Sequence, residues 1–202
     1  MATNWPSSVQ TFSTVSAGDS LSSPSHSGLH NDVSDTVEAL QEYAGLVLVK
    51  SQTIGSGVSS VTVSNAFSAT FDAYRIVITN VDASTTSAVY QFTLSGGATG
   101  YYYFLQDISY ATGAVSIANA TAASFALIGN TATASCGHVI LDVQSPNLPA
   151  YTTWNGLHND LGTAGIAAGG RASTNQETGF TITPSSGTIS GGTIRVYGYN
   201  NG

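Results

Sequence analysis

Apolar residues follow two different periods along the chain. From residue 46 onward, short runs rich in β-branched and aromatic residues show a period of two, and clusters of Gly, Asn, Ser and Pro separate them. This alternation is typical of β-strands that bury one face. It predicts eight or nine strands, from the segments LVLVKSQTI, VSSVTV, YRIVITNV, AVYQFTLS, YYYFLQDISY, SFALIG, GHVILDVQ, GFTITP and TIRVYGY. Because no helical pattern separates them, we expect a mainly β fold, an antiparallel jelly-roll-like β-sandwich over residues 46–202.

A helical pattern precedes the strands over residues 23–45. Ser23 is a suitable N-cap, Pro24 suits the first helical position, and Gly45 suits the residue that ends a helix. The apolar positions are spaced by four, three and four residues, which is the spacing of a coiled-coil seam, and they are Val33, Val37, Leu40 and Ala44. The sequence therefore predicts one amphipathic helix whose seam forms a homotrimer interface. The alternative is that the seam packs on the β domain of its own chain.

Residues 1–22 have neither helical nor strand periodicity. Apolar side chains lie scattered among Ser, Thr and Gly, and the candidates for docking are Trp5, Val9, Phe12 and Leu21. An isolated extended segment cannot offset its ordering entropy, so an ordered arm must lie on another surface. We interpret residues 1–22 as an extended docking arm, with an unattached tail as the alternative. Residues 1–45 contain five acidic residues and no Lys or Arg, so a basic partner surface is expected.

Charge is scarce throughout the chain. The 202 residues include four basic and eleven acidic ones, a net charge of −7, and only 7% are charged. The negative balance argues against binding to nucleic acid or to an anionic membrane surface. No apolar run approaches the roughly 18 residues of a membrane-spanning helix, so membrane insertion is not expected either.

Candidate catalytic and metal-binding motifs are weak. His26 and His30 have the spacing of helical zinc ligands, but the HExxH glutamate and a third ligand are missing, so capping or solvent exposure is favoured and their use stays open. The glycine-rich segments lack phosphate-binding patterns and are interpreted as loops and strand ends. Cys136 is expected to be a small buried apolar residue. We predict no enzyme activity and no cofactor.

An aromatic run is the best candidate for surface binding. It comprises Tyr101, Tyr102, Tyr103 and Phe104, with Tyr110 nearby. In a strand, alternate members face the core, and the other pair faces outward, where tyrosines stack on sugars or anchor a protein interface. Packing between subunits explains the run equally well. Farther along, Trp154 is predicted to lie in a glycine-rich loop.

One segment has a recognisable family character. The order AGDSLSSPSHSGLHNDVSDTVEALQ, followed by a Gly and an apolar strand, resembles the N-terminal segment of virion proteins of tailed bacteriophages. The ending GGTIRVYGYNNG looks like the closing strand of their β-sandwich domains. The resemblance covers residues 17–45 most specifically. The resemblance implies an attachment arm and helix before a trimeric β-rich head, with no active site. The family includes capsid decoration proteins, head fibres and tail fibres.

These observations lead to one expected function and two alternatives. We expect a noncatalytic homotrimeric capsid decoration protein, of the cement or head-fibre type, made in the host bacterial cytoplasm and located on the virion surface. Its expected partners are its own copies and the major capsid protein or another virion protein. The second hypothesis is a tail fibre or adhesin that recognises a host surface glycan through residues 101–110. The third is a spike that degrades polysaccharide.

Overall fold

The computed structural model describes Val33, Ser34, Val37 and residues 45–85, 88–130 and 137–200. The described part is mainly β and antiparallel, as predicted. Its strands are β1 (Leu46–Thr53), β2 (Val61–Val63), β3 (Ala73–Ala83), β4 (Val89–Leu94), β5 (Tyr101–Ser109), β6 (Val115–Ala123), β7 (Ala126–Asn130), β8 (Gly137–Gln144), β9 (Thr152–Asn159), β10 (Thr163–Arg171), β11 (Phe180–Pro184), β12 (Ile189–Ser190) and β13 (Thr193–Tyr199).

The strands form two sheets. The larger has the order β1-β13-β3-β8-β9-β10-β5-β6, with β12 paired to β3 at the side. The smaller has the order β2-β11-β4-β7. Residues 48–199 form one compact unit.

A chain of aromatic rings lies in the core between the sheets. Trp154 of β9 and Phe92 of β4 meet edge to face, with ring centroids 5.4 Å apart. Phe92 contacts Phe180 of β11, which in turn contacts Phe67. Phe67 meets Tyr74 of β3 edge to face at 4.9 Å, so the chain of rings joins both sheets. Burial of such rings, together with their edge-to-face contacts, stabilises a sandwich.

All nine predicted strand segments are strands in the structure, and β6, β9, β10 and β12 are additional. The prediction of a loop around Trp154 was wrong, because this residue lies in the middle of β9 with its side chain buried. The glycine-rich segment at residues 167–173, predicted as a loop or strand end, forms the end of β10 over residues 167–171. The glycines of β10 lie opposite the bulky side chains of β9: Gly169 pairs with Trp154, and Gly165 with His158. A Cβ at Gly169 would lie 2.7 Å from the Trp154 ring, so glycine makes room for the indole.

The predicted arm at 1–22 lies outside the described residues, as does most of the predicted helix. Val33, Ser34 and Val37 have helical backbone and are exposed. Leu40 and Ala44, the other two residues of the predicted seam, lie outside the described residues. The arm, the helix and its trimerisation therefore stay predictions.

Candidate functional site

The larger sheet turns one face toward the smaller sheet and the other away from it. We call the part of this second face formed by β9, β10, β5 and β6 the outer face. Its residues alternate with inward-facing ones, which include buried residues in β9, β10 and β5 but none in β6. The residues of the outer face are Thr153, Asn155, Leu157, Asn159, Ala164, Ile166, Ala168, Gly170, Tyr102, Phe104, Gln106, Ile108, Val115, Ile117 and Asn119. None of these residues carries a formal charge.

A row of side chains, all apolar except Gln106, crosses the outer face perpendicular to its strands; we call it the apolar row. Leu157 lies opposite Ile166 in the register of β9 and β10, and Ile140 of β8 lies opposite Leu157 on the other side. Ile166 is followed across β5 by Gln106, which lies opposite Ile117 of β6. Leu157 and Ile117 are 61% and 60% exposed. Exposed apolar side chains that adjoin in this way form a patch, which is typical of an interaction surface.

The outward face of the smaller sheet has a different composition. Thr62 of β2 lies opposite Thr181 of β11, which lies opposite Thr93 of β4. The hydroxyls of Thr62 and Thr181 are 3.0 Å apart and hydrogen-bonded. A threonine surface of this kind suits contact with water, whereas the apolar row on the larger sheet suits burial. The two faces of one sandwich therefore differ in the environment for which their side chains are suited.

Charged side chains border the apolar row at β3 and β8. Arg75 donates two hydrogen bonds of 2.7 Å to the two carboxylate oxygens of Asp142, and the Tyr199 hydroxyl also donates to Asp142. The Arg75 hydrogen bond lowers the pKa of Asp142 below its ordinary value, although partial burial acts in the opposite direction. An apolar centre with a polar border is the usual layout of a protein interface.

The aromatic run occupies β5 and alternates as predicted. Tyr101 is fully buried, and Tyr102 is 46% exposed. Tyr103 packs partly against the core, and Phe104 lies on the outer face. Tyr110 is exposed in the turn after β5, eight residues from Tyr102, which is about 26 Å along a strand. Tyr102 and Tyr110 therefore do not belong to one site.

A depression at the Tyr102 end of the outer face includes a residue that the sequence analysis missed. Tyr151, just before β9, is 63% exposed and lines this depression of about 380 Å³ together with Tyr102, Thr153 and Gly170. We call these four residues the tyrosine cleft. The single Tyr151 in a polar segment has no local signal, because only the pairing of β9 and β5 with β10 brings it near Tyr102.

A buried ion pair supports the cleft from the core side. Arg171 at the end of β10 pairs with Glu177, and both side chains are almost completely buried. Arg171 also donates to the carbonyl oxygens of Thr99 and Gly96, at 3.1 and 2.9 Å. Glu177 accepts hydrogen bonds from the Gly96 amide and, at 3.1 Å, from the Ser95 hydroxyl. Because the partners are satisfied within the protein, we interpret this network as structural.

A second buried polar group consists of His158 and Asp107. His158 Nε2 lies 2.9 Å from Asp107 Oδ1, but the two atoms lack the alignment of a hydrogen bond. Ser116 Oγ is 3.4 Å from the other carboxylate oxygen, so the acid lies between the serine and the histidine. A nucleophilic triad needs the histidine in the middle, so these three residues do not have that arrangement. Burial lowers the pKa of His158, although the charge of Asp107 acts against it.

Acidification is expected to destabilise the fold through His158. Its folded pKa is lowered, so the unfolded chain takes up a proton first as the pH falls below the ordinary histidine pKa of about 6.5. Above pH 6.5 the neutral His158 imposes no loss of stability. As the pH falls from about 6.5 toward the lower folded pKa, the free energy of unfolding decreases by at most about 1.4 kcal/mol per pH unit. Urea unfolding at pH 7.5 and 5.5 measures the effect. We expect a smaller pH dependence of the free energy of unfolding in His158→Gln than in His138→Gln. His138 is half-buried, and its variant is the control. Equal pH dependence of the two variants would contradict the assignment to His158.

The other predicted site residues lie outside the described residues, apart from Val33 and Val37, which are 54% and 47% exposed. The predicted residues outside the described part are Trp5, Val9, Phe12, Leu21, His26, His30, Leu40, Ala44 and Cys136.

The described residues lack two features. They contain no group of three or more His, Cys, Asp or Glu side chains suited to a metal ion. They also contain no helix of the length and apolarity needed to cross a membrane. Comparison with known proteins found no matching family model, no matching curated protein and no matching solved structure.

Proposed function

We propose that the chain is a noncatalytic structural protein of a tailed-bacteriophage virion, a homotrimer of the capsid decoration type on the particle surface. The observation that carries the proposal is the apolar row on the uncharged outer face, which suits burial against another protein. The resemblance of residues 17–45 to phage virion proteins directs it to the virion. The predicted arm at 1–22 supplies the attachment to the major capsid protein or another virion protein.

The strand order supports a jelly-roll interpretation of the sandwich. Without the hairpins β5–β6 and β9–β10 and the short β12, the sheets have the orders β1-β13-β3-β8 and β2-β11-β4-β7. These are two four-stranded sheets, and the chain crosses between them after β1, β2, β3, β7, β8 and β11. Jelly rolls of eight strands are common in viral capsid proteins and in lectins. This is an analogy of fold, which favours a virion protein without assigning its activity.

The two additional hairpins support the proposed self-association. The hairpins β9–β10 and β5–β6 extend the larger sheet beyond β8. Their four strands are those that form the outer face. The insertion of four strands thus adds an uncharged surface that carries the apolar row. Cores of oligomer interfaces are similarly depleted in charge. A second copy of the chain is therefore the partner that we propose for the apolar row of the outer face.

The second candidate function is a tail fibre or adhesin that recognises a host glycan. The exposed Tyr102 favours it, since an outward tyrosine offers a ring for stacking and a hydroxyl for hydrogen bonding. Location on the particle separates the two candidates. Adsorption to the host is expected to depend on an adhesin and not on a decoration protein.

Particles that lack the protein test the proposed function. A trimer that binds the assembled shell, but not its dissociated subunits, shifts the equilibrium toward the shell. We expect particles without it to release their genome at lower temperature and to adsorb at the normal rate. Genome release can be followed with a DNA-binding dye during heating, and adsorption by titrating unbound particles. Adding back purified protein is the control, and loss of adsorption from an equally heat-stable particle would overturn the decoration role in favour of the adhesin.

A further inference from the structure

The floor of the tyrosine cleft is the backbone of Gly170, which has no side chain to fill the space above it. Gly170 lies between Thr153 of β9 and Tyr102 of β5 in the strand register. Since neighbouring strands are about 4.8 Å apart, Thr153 and Tyr102 flank a notch about 9.6 Å wide. Tyr151 is on the same side of β9 as Thr153 and extends the wall beyond the end of that strand. Two exposed aromatic side chains therefore line one depression over a glycine.

The notch continues beside Tyr102 into a second depression. This one has a volume of about 500 Å³ and reaches Phe104, Asn119 and Thr121. Tyr102, Thr153 and Gly170 line both depressions. Their volumes are within the usual range of about 300–1,000 Å³ for small-molecule sites. A ligand of more than one ring can thus lie across both.

The polar groups around the cleft are neutral. Arg171 is the one charged residue among those lining the two depressions, and it is 4% exposed and paired with Glu177. The remaining polar side chains are hydroxyls and an amide, of Thr152, Thr153, Thr121, Asn119 and the tyrosines. Such groups donate and accept hydrogen bonds without attracting an ion. The composition therefore disfavours phosphate, carboxylate or cationic ligands.

The backbone beneath the cleft is well supported. The Tyr101 hydroxyl donates to the Gly97 carbonyl at 2.9 Å and accepts from the Leu94 amide at 2.6 Å, which anchors the start of β5. Arg171 connects the end of β10 to the carbonyls of Gly96 and Thr99. Both strands that carry Tyr102 and Gly170 are thereby held from the core. A pre-organised site loses less entropy when a ligand binds.

From these features we propose that the tyrosine cleft binds a neutral saccharide. The aromatic faces of Tyr102 and Tyr151 pack on the C–H faces of pyranose rings, and the threonine, asparagine and tyrosine groups bind the sugar hydroxyls. This site goes beyond the decoration role. The cleft lies four residues along β9 and β10 from the apolar row, a distance of about 13 Å. A saccharide in the cleft and a second copy on the apolar row therefore bind independently of each other.

Saturation-transfer NMR on the full chain tests the proposal. The probes are neutral trisaccharides of glucose, galactose and mannose in α and β linkage, together with sialyllactose as a charged probe. We expect transfer to ring C–H protons of at least one neutral trisaccharide and weaker transfer to sialyllactose. No transfer to any neutral probe, or strongest transfer to sialyllactose, would overturn the proposal.

Tyrosine variants locate the binding on the surface. Tyr102→Ala and Tyr151→Ala are each expected to weaken binding at least tenfold, whereas Tyr110→Ala, an equally exposed tyrosine at the far end of β5, leaves it unchanged. Unfolding midpoint and mass in solution check that each variant is folded and assembled. Undiminished binding by the Tyr102→Ala, Tyr151→Ala double variant would refute the site. Because the oligomer and the particle phenotype are measured separately, failure here leaves the proposed decoration role standing.

Discussion

Glu177→Gln is expected to lower the free energy of unfolding by about 3 to 5 kcal/mol, the range for removing one partner of a buried ion pair. The change leaves the Arg171 charge buried, with its carboxylate partner gone. In the wild type, one carboxylate oxygen of Glu177 accepts from Gly96 and Ser95, and the other accepts from the Arg171 guanidinium. In Glu177→Gln, an amide NH2 group replaces one of these two oxygens. A carboxylate accepts from all of them, whereas the amide nitrogen can only donate.

Urea unfolding at one fixed protein concentration measures this loss, because association stabilises the folded state by mass action. Asp142→Asn is the matched control, since it breaks the Arg75 ion pair, whose side chains are 36% and 24% exposed. This pair is only partly buried, so breaking it is expected to cost less than breaking the Arg171–Glu177 pair; exposed pairs contribute roughly 1 kcal/mol or less. If Glu177→Gln and Asp142→Asn shift the midpoint equally, the buried network does not have the structural role assigned to it.

Leu157→Asp is expected to dissociate the proposed oligomer. Leu157 lies in the middle of the apolar row, so in an assembled protein the new carboxylate would be buried without a partner. We expect at least about 2 kcal/mol per interface, which is roughly a 30-fold weaker association. The free chain should stay folded, because Leu157 is 61% exposed there.

Light scattering over a concentration series measures the mass. Leu161→Asp makes the same chemical change at a 78% exposed position in the turn between β9 and β10, and we expect it to keep the wild-type mass. The double variant Val37→Asp, Leu40→Asp tests the predicted helical seam independently. A monomeric wild-type protein at micromolar concentration would contradict both interfaces, whereas an unchanged mass for Leu157→Asp would contradict the outer face alone.

The strands that the sequence predicts differ from those it does not predict. Most of the nine predicted strands alternate inward and outward residues because one of their faces packs into the core, whereas β7 is a short apolar run buried along nearly its whole length. The missed strand β6 has few large inward side chains, and its residues are mostly exposed. In β9 and β10 glycines interrupt the pattern, because cross-strand neighbours such as Trp154 and His158 occupy the space of their side chains. Local periodicity cannot reveal a strand whose side-chain volume is supplied by another strand.

The candidate sites divide in the same way. Alternation within β5 was sufficient to predict that neighbouring members of the aromatic run face opposite sides. The structure decided which pair faces inward, with Tyr101 buried and Tyr102 exposed. The partner of Tyr102 could not be predicted, because Tyr151 is 49 residues away and enters the cleft only through β10. The separation of Tyr110 from Tyr102 likewise depends on the length of β5.

By itself, the sequence determined the β class, the antiparallel character and the scarcity of charge, because each of these depends on residue type and on spacing within a few positions. Only the tertiary structure decided that Ile140, Leu157 and Ile166 adjoin on one face, with Ile117 beyond Gln106 in the same row. It also decided that Arg171 and Glu177 meet beneath a cleft. The physical reason is that hydrogen bonding between β-strands joins segments far apart in the chain, and register, which no local pattern contains, selects the side chains that become neighbours.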